Sequence, residues 1–102
     1  MNKKNYHKLR LDLLYEAKVI MESKQKEYTN DNKDILYNFK TTAEMLKLKP
    51  IQVWAVFLHK HIQSIMTHTH NKKIDLSEPI EGRFADAINY LILGLAIIKD
   101  DE

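Results

Sequence analysis

Cysteine is absent from this 102-residue chain. Without it there is no disulfide framework and no thiolate metal site, and an intracellular setting is expected. Glycine and proline are scarce, two of each, so breaks are few and long helices are expected. Neither sign of charge dominates: 16 basic against 14 acidic side chains leave a formal net charge of +2. That balance suits a polyanionic small ligand or a solvated surface and does not by itself argue for DNA. No apolar run reaches the roughly 18–20 uninterrupted residues of a membrane span. The amino-terminal MNKKNYHKLR carries basic residues with no apolar run behind it of the kind a secretion signal needs. A chain of this length is expected to form a single domain, residues 1–102, around one modest core.

What is present is helical periodicity. A first helix is expected over Tyr6 to Tyr28, with Leu9, Leu13, Ala17, Ile20 and Lys24 on one stripe. The polar cluster Thr29-Asn30-Asp31-Asn32 ends it. A second helix, about Asp34 to Leu48, should bury Ile35, Phe39, Thr42, Ala43 and Leu46 until Pro50 stops it and opens a third. The third runs to about Met66 on the stripe Trp54, Leu58, His61, Ile65. His68 to Glu78 reads as a polar loop, with Ser77 as a cap, Pro79 in the next first turn, and Glu78 and Glu81 against the positive helix end. A fourth helix should bury Phe84, Ala87, Ile88, Leu91, Leu95 and Ile98. Its other face, through Asp86, Leu93 and Ile97, is apolar as well. A helix with two apolar faces lies centrally in a core or between subunits. The expected fold is therefore an all-α four-helix bundle assembled as a helical homo-oligomer.

The fourth helix also carries the strongest functional signal. Within FADAINYLILGLAIIK, from Ala85 to Ile98, only Asp86, Asn89 and the hydroxyl of Tyr90 interrupt a run of apolar residues and glycine. A carboxylate among leucines and isoleucines costs several kcal/mol unless it is paired, protonated or metal-bound. Either a ligand or a structural hydrogen-bond network would account for it.

Three further motifs stand in order: a lysine-rich first helix ending in Lys26 and Tyr28, then Tyr37-Asn38-Phe39-Lys40, then His59-Lys60-His61 with Ser64-Ile65 ahead of Asp86-Ala87-Ile88-Asn89-Tyr90. On these motifs, from about Glu16 to Ile98, the chain resembles small phage-encoded proteins of the nucleotide-modification-associated type. Those proteins are similar in turn to all-α, MazG-like nucleotide pyrophosphohydrolases. The resemblance implies a helical bundle that handles nucleotides, often as a dimer or tetramer, in the cytoplasm of an infected bacterial host.

MazG-like enzymes hold Mg²⁺ with paired acids, an ExxE on one helix and an ExxD on a later one. Residues three apart share a helix face and bring carboxylates to one hard cation. Asp86 aligns with the aspartate of the second motif, but Arg83 stands where its glutamate belongs, and no ExxE occurs upstream. Glu16 and Glu27, with Asp86, would be the remaining metal candidates, and no metal is favoured. Replacing an acid with arginine removes a magnesium ligand and adds a planar cation suited to phosphate. Arg83, Lys40, Lys60 and His59 or His61 can then bind a phosphate-bearing nucleotide without cleaving it, with Tyr37, Trp54 or Tyr90 stacking on a base. Asn38 and Asn89 are candidates to read base or phosphate. The ligand-binding set is thus Tyr37, Asn38, Lys40, His59, Lys60, His61, Arg83, Asp86, Asn89 and Tyr90. Bland alternatives stand beside it: Arg83 neutralising Asp86 or Glu81 at the surface, and His61 as a hydrogen-bonded core histidine.

Zinc is disfavoured, because His59 and His61 point in different directions on a helix and His68 and His70 have no fixed acid nearby. The expected function is sequestration of a nucleotide or nucleotide-derived signal, an anti-defence sponge. Mg²⁺-dependent pyrophosphohydrolysis is the alternative. Two other classes compete. Thr41 to Trp54 has the rhythm of a helix-turn-helix repressor, but its second helix offers Val53, Trp54, Val56, Phe57 and Leu58 where a DNA groove needs polar side chains. An adaptor contacting a host protein through the last helix is the other.

Overall fold

The computed structural model describes residues 1–29, 32–71 and 78–102, with the backbone alone at Lys26 and Tyr28. The expectations for Asn30, Asp31, Ser77 and the loop over residues 72–77, and for the side chains of Lys26 and Tyr28, lie outside the described residues. Those residues form four helices and no strand: α1 (Lys3–Thr29), α2 (Tyr37–Leu46), α3 (Pro50–His70) and α4 (Ile80–Asp100). None is long and apolar enough to cross a membrane.

α1 begins earlier than its apolar stripe, because Asn2 caps it: the Asn2 Oδ1 accepts from the Asn5 N–H at 2.8 Å. Its first dozen residues are exposed or nearly so. Leu9, expected on the buried stripe, is exposed because the helix overhangs its neighbours there. Burial begins with half-buried Leu13 and reaches Ala17. α2 is shorter than expected. Its approach is built from side-chain turns, with Asn32 Oδ1 accepting from Asp34 N–H and Asp34 Oδ1 from Leu36 N–H. It ends on Lys47 in the left-handed region (φ 58°, ψ 43°), where the Leu48 N–H reaches back to Ala43 O at 2.8 Å. Leu46, expected in the core, sits at this frayed end and is exposed.

Pro50 opens α3 as expected, and the Gln52 Oε1 accepts from the Lys49 N–H in the reciprocal half of a capping box. α3 extends one turn past Met66, through His68 to His70, into what reads as loop. Half-buried Thr67 and His68 and a Thr69 hydroxyl bonded to Met66 O support that turn. Pro79 is the residue preceding α4, one position ahead of the expected first turn.

The face that α4 turns inward is the reverse of the expected one. Ala85, Asp86, Asn89, Gly94 and Ile97 are buried, with Tyr90 and Leu93 half-buried beside them. Of the six residues expected inside, Ala87 is buried and Ile88 half-buried, while Phe84, Leu91, Leu95 and Ile98 are exposed. Small residues decide the choice. A Cβ at Gly94 would lie 2.3 Å from the Trp54 ring, so the α3 indole rests directly on the α4 backbone. The Trp54 Nε1–H donates to Tyr90 O. A face of leucines could not approach so closely. The core then gathers Leu36, Phe39, Ala43, Val53 and Ile97.

Candidate functional site

Trp54 meets Gly94, Phe57 meets Tyr90, and His61 meets Tyr90 and Asp86. Numbers rise on α3 as they fall on α4, so the two helices run antiparallel. They approach closely at Trp54 and Gly94, and toward His61 ring side chains lie between them. Beside these rings lies a cavity of about 270 Å³ to which all four helices contribute.

Its floor is α4: Asp86, Asn89, Tyr90 and Leu93. Asp86 and Asn89, three apart, share one helix face. Asn89 is fixed by α1, donating from Nδ2 to Ala17 O at 2.9 Å. The Asp86 residue is only 8% exposed, yet among the described residues no donor comes within hydrogen-bonding distance of its carboxylate. The His61 Nδ1 is 4.0 Å away. Burial pushes the His61 imidazole below its usual range, against the pull of Asp86 and with the charges of Lys24, Arg83 and Lys60 adding to the fall. His61 is therefore neutral at neutral pH, and its contact with Asp86 is not an ion pair.

The walls are aromatic. Phe39 stands edge-on to both Phe57 and Tyr90, Phe57 and Tyr90 are tilted by 30°, and His61 lies over Tyr90 with centroids 4.6 Å apart. Lys24 from α1 and Lys60 from α3 bring positive charge to the same cavity, and Gln25, Thr29, Asn38 and Thr42 add neutral polar groups. The arrangement offers acceptors below, ring faces at the side and cations at the exposed rim.

Six of the ten residues expected to bind ligand meet here: Asn38, Lys60, His61, Asp86, Asn89 and Tyr90. The other four do not line the cavity. Tyr37 is half-buried at the start of α2, and His59 is exposed on α3. Arg83 is half-buried in the first turn of α4, near enough for its charge to act on His61. Lys40 is held elsewhere, by Asp34 at 2.6 Å and Asp100 at 2.9 Å, which raises its ammonium above the usual lysine range and lowers Asp34. Trp54, a candidate to stack on a base, is committed to Gly94 instead.

Of the metal candidates, Glu27 is exposed and Glu16 lies near Gly82. Among the described residues no three His, Asp or Glu side chains converge as a metal site would require. Lys24, Gln25, Phe57 and Thr42 are lining residues that were not singled out as binders. Lys24 alone had a signal, a lysine on the apolar stripe of α1.

Comparison of the chain with family models, curated proteins and solved structures gives no match.

Proposed function

We propose that this chain binds a nucleotide or nucleotide-derived signal and holds it without cleaving it, as a phage-type sponge against a host defence messenger would. One observation carries the reading: a nearly buried carboxylate that accepts no hydrogen bond from the described residues opens into a cavity walled by aromatic rings and bordered by two lysines. A largely buried carboxylate to which the described residues donate no hydrogen bond is an acceptor ready for a ligand. Tyr90, Phe57 and His61 supply stacking surface for a base, while Lys60 and Lys24 supply charge for phosphate.

Retention is favoured over cleavage by what surrounds Asp86. Arg83 stands where the glutamate of the ExxD motif of MazG-like enzymes belongs, and Glu27 turns to solvent. The reading includes a second copy of the chain. Phe84, Ile88, Leu91, Leu95 and Ile98 recur in alternating steps of four and three along the outer face of α4, the spacing of a helix-pairing seam, and four of them are exposed. Glutamate at Leu91 and Leu95 should reduce the mass measured by light scattering to that of one chain.

The test of sequestration is to mix the purified protein with a nucleotide panel, with and without Mg²⁺, then heat-denature it and analyse what is released. Intact nucleotide recovered in stoichiometric amount supports retention. Turnover to monophosphate and pyrophosphate overturns it in favour of Mg²⁺-dependent hydrolysis. Salt-sensitive retardation of DNA with no retained nucleotide overturns it in favour of the repressor reading.

A further inference from the structure

The hydrogen-bond polarity of the cavity floor discriminates between bases, on the reading that the cavity holds a nucleotide. We infer that it is shaped for guanine, with the Asp86 carboxylate accepting from N1–H and the exocyclic N2 amine.

The floor offers acceptors. An ionised carboxylate accepts at both oxygens and donates nothing. Asn89 commits one of its two Nδ2 hydrogens to Ala17 O. A carbonyl can only accept, so this bond fixes which way the amide lies and leaves Oδ1 as the free end. Asp86 therefore presents two oxygens seeking donors, and Asn89 adds Oδ1 beside its one remaining Nδ2 hydrogen.

The four common bases differ in what they bring to such a floor. Guanine alone carries two adjacent N–H donors on its Watson–Crick edge, matching the parallel oxygens of a carboxylate. Adenine and cytosine set a ring-nitrogen acceptor beside their amine, and uracil places its one N–H between two carbonyls. In each of those a lone pair would face the Asp86 carboxylate. Guanine O6 needs a donor in turn, and Asn38 and Lys60 are available among the lining side chains.

A cationic ligand would also satisfy Asp86, but the charges of Lys24, Arg83 and Lys60 all act at neighbouring His61 and would oppose it. A neutral donor edge with an anionic tail meets both requirements. The volume agrees: about 270 Å³ lies just below the usual range of ligand cavities, room for one base with its sugar and not for two stacked nucleotides.

The experiment is calorimetric titration of the full chain with GTP, ITP, XTP, ATP, CTP and UTP, each in EDTA and in Mg²⁺. GTP is expected to bind tightest. ITP, which lacks only the N2 amine, should bind about tenfold or more weaker, the loss of one arm of a bidentate contact. XTP, with a carbonyl in place of that amine, should be rejected by the parent and preferred over GTP by Asp86→Asn, whose amide can donate to that carbonyl. Equal affinity for all bases, preference for another base, or ITP equal to GTP overturns the guanine inference and leaves the nucleotide reading intact. Binding of none of the six overturns both. Should Asp86→Asn fail to fold, the GTP, ITP and XTP series on the parent decides alone.

Discussion

Replacing Gly94 with alanine should destabilise this protein, although the same change in an open helix stabilises by about 1 kcal/mol through propensity. The added methyl would sit 2.3 Å from Trp54 Cε2 and Cζ2 and 2.8 Å from Nε1. Carbon atoms rest at about 3.5 Å or more, so the indole would have to retreat by more than about 1 Å. It cannot do so freely, because its Nε1–H is bonded to Tyr90 O on the same helix. Overpacking costs roughly 1–3 kcal/mol and a strained hydrogen bond about 1 kcal/mol more. After subtracting the propensity gain, the net loss is about 1–3 kcal/mol. Urea denaturation read by helical circular dichroism measures it as a lower midpoint at unchanged slope. Trp54 is the sole tryptophan, so its fluorescence should shift in the native state as well. In a Trp54→Ala background the clash is gone, and Gly94→Ala should become neutral or stabilising by up to about 1 kcal/mol. A Gly94→Ala protein with a raised midpoint in the parent background would refute the close approach of α3 to α4.

Three further outcomes follow from the same geometry. Lys47→Gly should raise stability by roughly 0.5–1 kcal/mol, because a left-handed backbone disfavours a Cβ and glycine removes it; an unchanged or lower urea midpoint counts against it. The His61 imidazole lies below its unfolded value of 6.5, so the unfolded chain takes up a proton first as pH falls. The stability contribution of neutral His61 is complete above pH 6.5 and declines below it until the folded chain is protonated too. His61→Gln should flatten that part of the stability profile, and an identical acid slope in parent and variant would contradict the assignment. Lys60→Ala and Lys24→Ala should each weaken nucleotide binding and reduce its salt dependence. Lys40→Ala should leave binding unchanged, because its ammonium is engaged by Asp34 and Asp100; equal losses from all three, measured by titration at two salt concentrations, would show that the cavity is not where phosphate binds.

The four helices were legible because scarce glycine and proline leave the apolar periodicity uninterrupted. Their ends were less so. Asn2 capping α1 and the left-handed Lys47 closing α2 are local hydrogen-bond events that a stripe of leucines does not reveal. The orientation of α4 was not legible from periodicity at all, since both its faces are apolar. What settles it is size: Gly94 and Ala85 on one side admit a neighbouring helix that Leu91 and Leu95 on the other would hold away. The cavity was legible where polar groups interrupt an apolar face, at His61, Asp86, Asn89 and Tyr90. It was illegible for Gln25, Phe57 and Thr42, whose place depends on how α1, α2 and α3 are set against α4. Lys40 and His59 show the opposite failure. Nearness in sequence to a lining residue says little about direction on a helix, and both point away.

The contact at Gly94 and the cavity at Asp86 are two ends of one interface. Where α4 has no side chain, the indole closes the space between α3 and α4. One turn toward its amino terminus Tyr90 packs against His61, and one turn further Asp86 faces the cavity. α1 bears on the same floor through the bond from Asn89 to Ala17, and it contributes Lys24 to the same cavity. Acceptors thus come from α4 while the cations come from α1 and α3, so the polarity of the cavity is set by how the helices are assembled. A change that tilts α3 on α4 would separate the stacking rings from the acceptor floor without touching a lining residue. Loss of nucleotide affinity in Gly94→Ala, beyond what its unfolded fraction explains, is the outcome this coupling requires on the proposed reading.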